Sequence, residues 1–188
     1  LRKKIETIPG DKSISHRALI LGAMSKGKME IHNLATGQDC ASTLNCLKNL
    51  GIEIQKEKDV LIVNGKGLFG FQEPQNFLDA ENSGTTMRIL CGILAAQSFY
   101  SVITGDDSLR TRPMKRVIEP LQKMGAEIHA RNNNQLAPIT ILGKKLNSIE
   151  YTLPVPSAQV KTALLLAGLL ANGKTVLKSE LLKCIISV

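Results

Sequence analysis

The 188-residue chain is 43% hydrophobic and 21% charged, a composition that excludes disorder and leaves ample length for a packed core. Aromatic residues make up only 3%, with no Trp, so the core must be aliphatic; the shortage also argues against the base-stacking platforms of single-stranded nucleic-acid binders. The net charge of +8 asks for an anionic partner, yet the cations are dispersed, with no block of five like charges of the kind that marks a polyanion-binding arm.

No apolar run reaches the length of a membrane span, and the first residues lack a signal-peptide core. Cys40, Cys46, Cys91 and Cys184 form no C-x-x-C pair and show no metal-ligand spacing with His16, His32 or His129. These features predict a cytoplasmic protein with reduced thiols, no metal, and neither nucleic acid nor membrane as partner.

In chain order, a strand at 4–8 leads into Pro9-Gly10-Asp11-Lys12-Ser13-Ile14-Ser15-His16-Arg17, which opens an apolar helix at 18–24. A strand at 29–32, an amphipathic helix at 41–50 ended by Gly51, and alternating strands at 53–55 and 60–63 follow. The pattern then recurs. A strand at 76–79 precedes Asn82-Ser83-Gly84-Thr85, then Arg88 and an apolar helix at 89–96. Next come a strand at 99–104, a helix at 114–124 ended by Gly125, and strands at 127–130 and 139–142. A third start has a strand at 151–155, Ser157-Ala158-Gln159, an apolar helix at 163–171 and a strand at 175–177.

The period is about 70 residues. Leu47-Lys48-Asn49-Leu50-Gly51 matches Leu121-Gln122-Lys123-Met124-Gly125, and Arg17 and Arg88 stand alike before their apolar helices. The expected fold is therefore α/β, built from β-α-β-α-β-β units: two complete, at about 10–75 and 80–150, and a truncated one at 157–188. Helices apolar all round are expected to be buried on every side. In the truncated unit the apolar helix should lack its cover and the strand at 175–177 should have an unpaired edge. The tail at 181–188 should fold back over that gap or pair copies of the chain.

Repeated units share orientation, so their apolar helices should run parallel and bring their N-termini to one face. Helix N-termini present free N–H donors and partial positive charge, and Lys12, Ser13, Arg17, Arg88 and Arg112 add to them. The pattern points to a site for phosphate or carboxylate groups.

These same strings resemble the motifs of the 5-enolpyruvylshikimate-3-phosphate synthase family. Gly10-Asp11-Lys12-Ser13-Ile14-Ser15-His16-Arg17-Ala18 is similar to its N-terminal signature, and Asn82-Ser83-Gly84-Thr85-Thr86-Met87-Arg88 to its Asn-x-Gly-Thr-x-x-Arg signature. Arg110-Thr111-Arg112-Pro113-Met114 and the string from Ser157 to Leu164 follow in the family's order. Four ordered motifs are specific where one would be weak. The resemblance implies an inside-out enolpyruvyl transferase fold of two lobes, with this chain as one lobe and the C-terminal lobe as its partner.

It also implies transfer of the enolpyruvyl group from phosphoenolpyruvate to shikimate-3-phosphate in chorismate biosynthesis, with no cofactor. Lys12, Ser13, Arg17, Ser157 and Gln159 would then bind shikimate-3-phosphate. Lys12, Gly84, Thr85, Arg112 and Gln159 would bind phosphoenolpyruvate, while Asn82 and Arg88 shape the loop. Ser157-Ala158-Gln159 departs from the Ser-Ser-Gln of many members and removes one hydroxyl contact. None of Asp11, Asp39, Asp79, Asp106 or Asp107 matches the family's acid–base carboxylates, so the fragment should bind anions without turnover. The alternatives are a lobe of UDP-N-acetylglucosamine enolpyruvyl transferase, expected to carry Lys-Asn for Lys12-Ser13 and a reactive loop cysteine, and a non-catalytic anion-binding domain.

Overall fold

The computed structural model describes residues 8–179 and 182–187, so residues 4–7 of the expected leading strand lie outside the described residues. Three long helices carry the interior: α1 (Lys12–Met24), α3 (Gly84–Leu94) and α6 (Ala158–Leu170). Each begins where a short polar side chain satisfies an orphan amide. Asp11 accepts from the Ile14 N–H at 2.7 Å, Ser83 from Thr86 at 3.2 Å and Ser157 from Val160 at 3.3 Å. The amphipathic helices are α2 (Gln38–Asn49) and α4 (Lys115–Lys123). Both end at a glycine of positive φ, Gly51 at 82° and Gly125 at 92°, the left-handed closure expected of equivalent positions.

Three sheets wrap these helices. The first joins β1 (Lys26–His32), β3 (Val60–Lys66) and β2 (Glu53–Glu57), all antiparallel, in the order β1-β3-β2. The second has the order β4-β5-β7-β6, from β4 (Leu78–Asp79), β5 (Tyr100–Thr104), β6 (Glu127–Ala130) and β7 (Leu136–Leu142). β4 runs parallel to β5, and β7 is antiparallel to both β5 and β6. A single turn α5 (Arg131–Asn134), with left-handed Asn132 and Asn133, links β6 to β7. The third sheet has β8 (Glu150–Thr152) parallel to β9 (Lys174–Ser179), with β10 (Leu182–Ser187) antiparallel on its other side.

β5 and β9 are thus flanked alike, by a parallel leading strand on one side and an antiparallel strand on the other. β10 takes beside β9 the place that β7 takes beside β5 and β3 beside β1. The edge at 175–177 is thus closed by the tail, the first of the two expected outcomes: it folds back as a hairpin and supplies the missing neighbour. The apolar helix of the third unit is also better covered than its sequence context suggests. Ala163, Leu164, Leu166, Ala167, Gly168 and Leu170 are buried, and only Leu165 and Leu169 are partly open.

α3 meets the expectation of burial on all sides, with Met87, Ile89, Leu90, Ile93 and Leu94 fully enclosed, each worth about 2 kcal/mol of apolar transfer. α1 does not. Ile14 is 69% and Leu21 50% exposed, because α6 approaches α1 near its N-terminal half and leaves a groove lined by Ile20, Leu21, Ile89 and Leu165.

A tight joint in the core lies between α3 and α6. A Cβ placed on Gly92 would lie 2.2 Å from the Ala163 carbonyl oxygen and 3.0 Å from its Cα, so only glycine lets the two backbones meet. One polar thread crosses the same core. His16 Nδ1 lies 2.7 Å from Thr43 Oγ1, which lies 2.6 Å from Thr86 Oγ1, which lies 2.7 Å from Ser83 Oγ. All four side chains are buried, and His16 Nε2 has no partner among the described residues.

Replacing Gly92 by Ala should destabilise the protein by about 1–3 kcal/mol through overpacking against backbone; urea unfolding reads this as a lower midpoint at unchanged slope. Burial holds the His16 imidazole below its ordinary value of 6.5. Between the folded value and about 6.5, the unfolded chain binds a proton that the folded chain refuses. His16 therefore contributes stability that is full above that pH and declines as pH falls below it. Unfolding measured from pH 8 to 5 should show this slope, and His16→Asn should reduce it.

Candidate functional site

The three capped N-termini meet at one face of the molecule. Arg17, one turn into α1, donates to the Ser13 carbonyl at 3.0 Å and to Thr162 Oγ1 on α6 at 2.8 Å. Arg88, one turn into α3, donates to Gln159 Oε1 on α6 at 2.8 Å and to the Pro113 carbonyl at 3.0 Å. Gln159 in turn donates through Nε2 to Thr85 Oγ1 at 2.9 Å. The helices run parallel, since Thr85 and Arg88 face Gln159 while Gly92, one turn further on, faces Ala163.

Arg112 follows a 3₁₀ turn (Leu109–Thr111) and reaches back to the α3 entry. Its guanidinium donates to the Asn82 carbonyl at 3.2 Å, to Asn82 Oδ1 and to Ser108 Oγ at 3.3 Å. Asn82 is held from its other end by Asp106, whose Oδ2 accepts from Nδ2 at 2.6 Å. Asp106 also caps the 3₁₀ turn at the Leu109 N–H, 2.7 Å away, and the Asn82 contact is the main cause of its depressed pKa. Asp107 pairs with Arg110.

Among the described residues, the hydrogen bonds of Arg17, Arg88 and Arg112 all end on neutral oxygens. Their charge is therefore held in place without a direct ion pair, and the Asp106 carboxylate feels that of Arg112 through space. Burial chiefly, and then the nearby Arg116 and Arg112, lower the Arg88 pKa. Gly84 lies close to two of these groups: a Cβ there would stand 2.6 Å from Arg88 Nη1 and 3.6 Å from Arg112 Nη1. Lys12 differs. Its Nζ pairs with Asp39 Oδ2 at 2.7 Å, a contact that raises its pKa, while 58% of its side chain stays open to solvent.

A cavity of about 340 Å³ opens between α1 and the start of α6, lined by Arg17, Leu153, Ser157, Lys161 and Thr162. It has the size of a small-molecule site and one mouth rich in cations. The residues expected from sequence thus fall into three linked groups. Arg17 and Ser157 share the cavity; Thr85, Arg88 and Gln159 form one hydrogen-bonded set; Asn82 and Arg112 form another beside Gly84. Ser13 joins the first group through the carbonyl that accepts from Arg17, and Lys12 is turned to Asp39.

Sequence reasoning passed over Asp39, Lys161 and Thr162. Asp39 opens an ordinary amphipathic helix, and only the placement of α2 beside α1 makes it the partner of Lys12. Lys161 and Thr162 stand inside a motif read for its serine and glutamine, although their spacing from Ser157 puts them on the first turn of α6.

Among the described residues, no group of three or more His, Cys, Asp or Glu is placed to hold a metal, and no helix is long and apolar enough to cross a membrane. Cys40, Cys46 and Cys91 are buried, and burial pushes all three thiols up, Cys46 and Cys91 to about 12. None has the thiolate character of a reactive cysteine.

Parallel capped helices that gather guanidinium groups at one end, with sheets outside, define an α/β protein with one strongly cationic face. The chain belongs to the EPSP synthase family: the model of EPSP synthase (3-phosphoshikimate 1-carboxyvinyltransferase) matches residues 1–188. A 3-phosphoshikimate 1-carboxyvinyltransferase of Petrotoga mobilis is 58% identical over 171 residues, covering 90% of this chain and 40% of that protein. One of Alkaliphilus metalliredigens is 51% identical over 175 residues, covering 93% and 41%. The structure of EPSP synthase from Acinetobacter baumannii matches with a TM-score of 0.90 at 42% identity, over 93% of this chain and 40% of that one. The chain therefore spans about two-fifths of the length of these relatives.

Proposed function

We propose that this chain supplies the anion-holding side of an enolpyruvyl transfer site, acting on phosphoenolpyruvate and shikimate-3-phosphate as one lobe of a longer protein. The units at about 10–75, 80–150 and 157–188 form that lobe, and the remainder of the protein is its partner. The observation that carries the reading is the convergence of three helix N-termini around Arg17, Arg88 and Arg112, whose hydrogen bonds all end on neutral oxygens.

Shikimate-3-phosphate occupies the cavity between α1 and α6. Arg17 forks onto its carboxylate, Ser157 and Ser13 take the phosphate, and Gln159 and Lys12 bridge to the second substrate. Phosphoenolpyruvate lies against Gly84 and Thr85, its phosphate on Arg112 and on Lys12 once that side chain leaves Asp39. Asn82 and Arg88 hold the turn. In the reaction the enol methylene carbon takes a proton, and the substrate 5-hydroxyl adds to the adjacent carbon with loss of its own proton. The tetrahedral adduct then expels inorganic phosphate as a proton leaves the new methyl group. The cations bring two anions together and stabilise the charge on the departing phosphate. Lys12, being largely solvent-exposed, does not by itself exclude water, so the chain alone binds without turning over.

Titration of the ¹⁵N-labelled chain with shikimate-3-phosphate should shift the Ser13 and Ser157 amides with a Kd of about 1 mM, or −4 kcal/mol. Arg17→Ala should abolish the response, and phosphate release from both substrates should not exceed a no-protein control. Shifts confined to other faces, or turnover abolished by Lys12→Ala, would contradict the reading.

A further inference from the structure

Two of the three N-termini, those of α1 and α3, are linked through the interior by the thread from His16 to Ser83. We propose that His16, Thr43 and Thr86 are positioning residues: His16, held as the Nδ1–H tautomer, heads a one-way chain of hydrogen bonds that ends on Ser83 and fixes Gly84 and Thr85 relative to α1. The inference rests on the anion-site reading above for what is positioned, but its core is proton accounting within the chain.

Each hydroxyl has one proton to give. In one polarity His16 Nδ1–H donates to Thr43, Thr43 to Thr86, and Thr86 to Ser83, over 2.7, 2.6 and 2.7 Å. The Thr86 proton goes to Ser83 Oγ or to the Asp39 carbonyl, 3.3 Å away, so the Thr43–Thr86 contact takes the Thr43 proton and the His16 contact takes Nδ1–H. Nε2 is then a bare lone pair with no partner among the described residues. In the reverse polarity Thr43 donates to Nδ1, the Thr43–Thr86 contact needs the Thr86 proton, and the Nε2–H has no partner among the described residues. Buried orphan donors are rarer in folded proteins than under-satisfied acceptors. Ser83 Oγ also accepts from the Thr86 N–H at 3.2 Å.

A protonated ring would orphan the same N–H and add a charge in a side chain with 0% exposure. The charged groups near it are Asp39 on α2, which favours protonation, and Lys12 and Arg17 on its own helix, which oppose it. The thread passes from α1 through Thr43 on α2 to α3. Thr86 Oγ1 also lies 3.3 Å from the Asp39 carbonyl, on the residue whose side chain holds Lys12. Lys12, Arg17 and the cap of α3 are thereby referred to one buried frame. The α6 contacts differ, being made by partly exposed arginine and glutamine side chains.

The test uses the 188-residue chain in two arms. Long-range ¹⁵N correlation of the ligand-free protein at pH 7 should show His16 neutral, with imine-type Nε2 and protonated Nδ1; an Nε2–H or doubly protonated ring overturns the proposal. Thr43→Val and Thr86→Val, isosteric losses of one link each, should weaken inorganic phosphate binding at the Gly84 and Thr85 amides about tenfold while changing the Ser157 response less than about twofold. Thr43→Ser and Thr86→Ser should restore binding. Folded valine variants that bind phosphate as the parent does, or serine variants that fail to rescue, overturn the proposal. If the parent chain shows no phosphate response at all, the anion-site reading fails, and the ring tautomer, read without ligand, decides this inference separately.

Discussion

The geometry of the site descends from one contact, the backbone approach of α3 and α6 at Gly92 and Ala163. Arg88 stands one helical turn before Gly92, and Gln159 one turn before Ala163. Two parallel helices in register at the lower pair must therefore bring the upper pair face to face. The Arg88–Gln159–Thr85 set follows without further specification, and with it the crowding around Gly84. A missing methyl group thus sets the register of an ion site a full turn away, because cores transmit a shift of one element rather than absorb it.

The positive charge of the molecule is arranged in two ways. Surface cations such as Arg110, Lys115 and Lys144 are paired with carboxylates, as exposed charges commonly are, for little net gain. The arginines at the helix ends are instead gripped by carbonyls, amides and hydroxyls, which fix the fork without lowering the local potential. The first arrangement suits solubility. The second suits capture of an anion, since the ligand meets a preorganised cation that need not break an ion pair first. Lys12 lies between the two: mobile, exposed and on loan to Asp39.

Much of this was legible in the chain. The repeat exposed the three helix starts, the glycines that end α2 and α4, and the motif residues that cluster at one face, because capping and chain reversal are local chemistry that each unit must solve again. What escaped depends on neighbours from another unit. Asp39 and Thr43 are unremarkable in their own helix, and nothing around His16 in the sequence announces that α2 and α3 close over it. The exposure of Ile14 and Leu21 also could not be inferred, since hydrophobicity alone cannot say how near the next helix comes. The tail was legible only as a segment that folds back or pairs copies; that it does so as a strand beside β9 is a pairing that no local pattern in 182–187 announces.

That pairing has a kinetic side. β3 can join β1 only after α2 and β2 have been threaded, and β7 joins β5 only after α4 and β6, so both pairings close long loops and pay chain entropy before any contact returns it. β10 follows β9 with only Glu180 and Leu181 between them in the chain. A local hairpin of this kind forms on the microsecond scale and raises no long-range entropic barrier. The β9–β10 pair can thus form locally, as β2–β3 can, whereas β8 joins β9 only once α6 is in place, so in hydrogen exchange the β9–β10 pairing should re-form faster than the β8–β9 pairing after local opening.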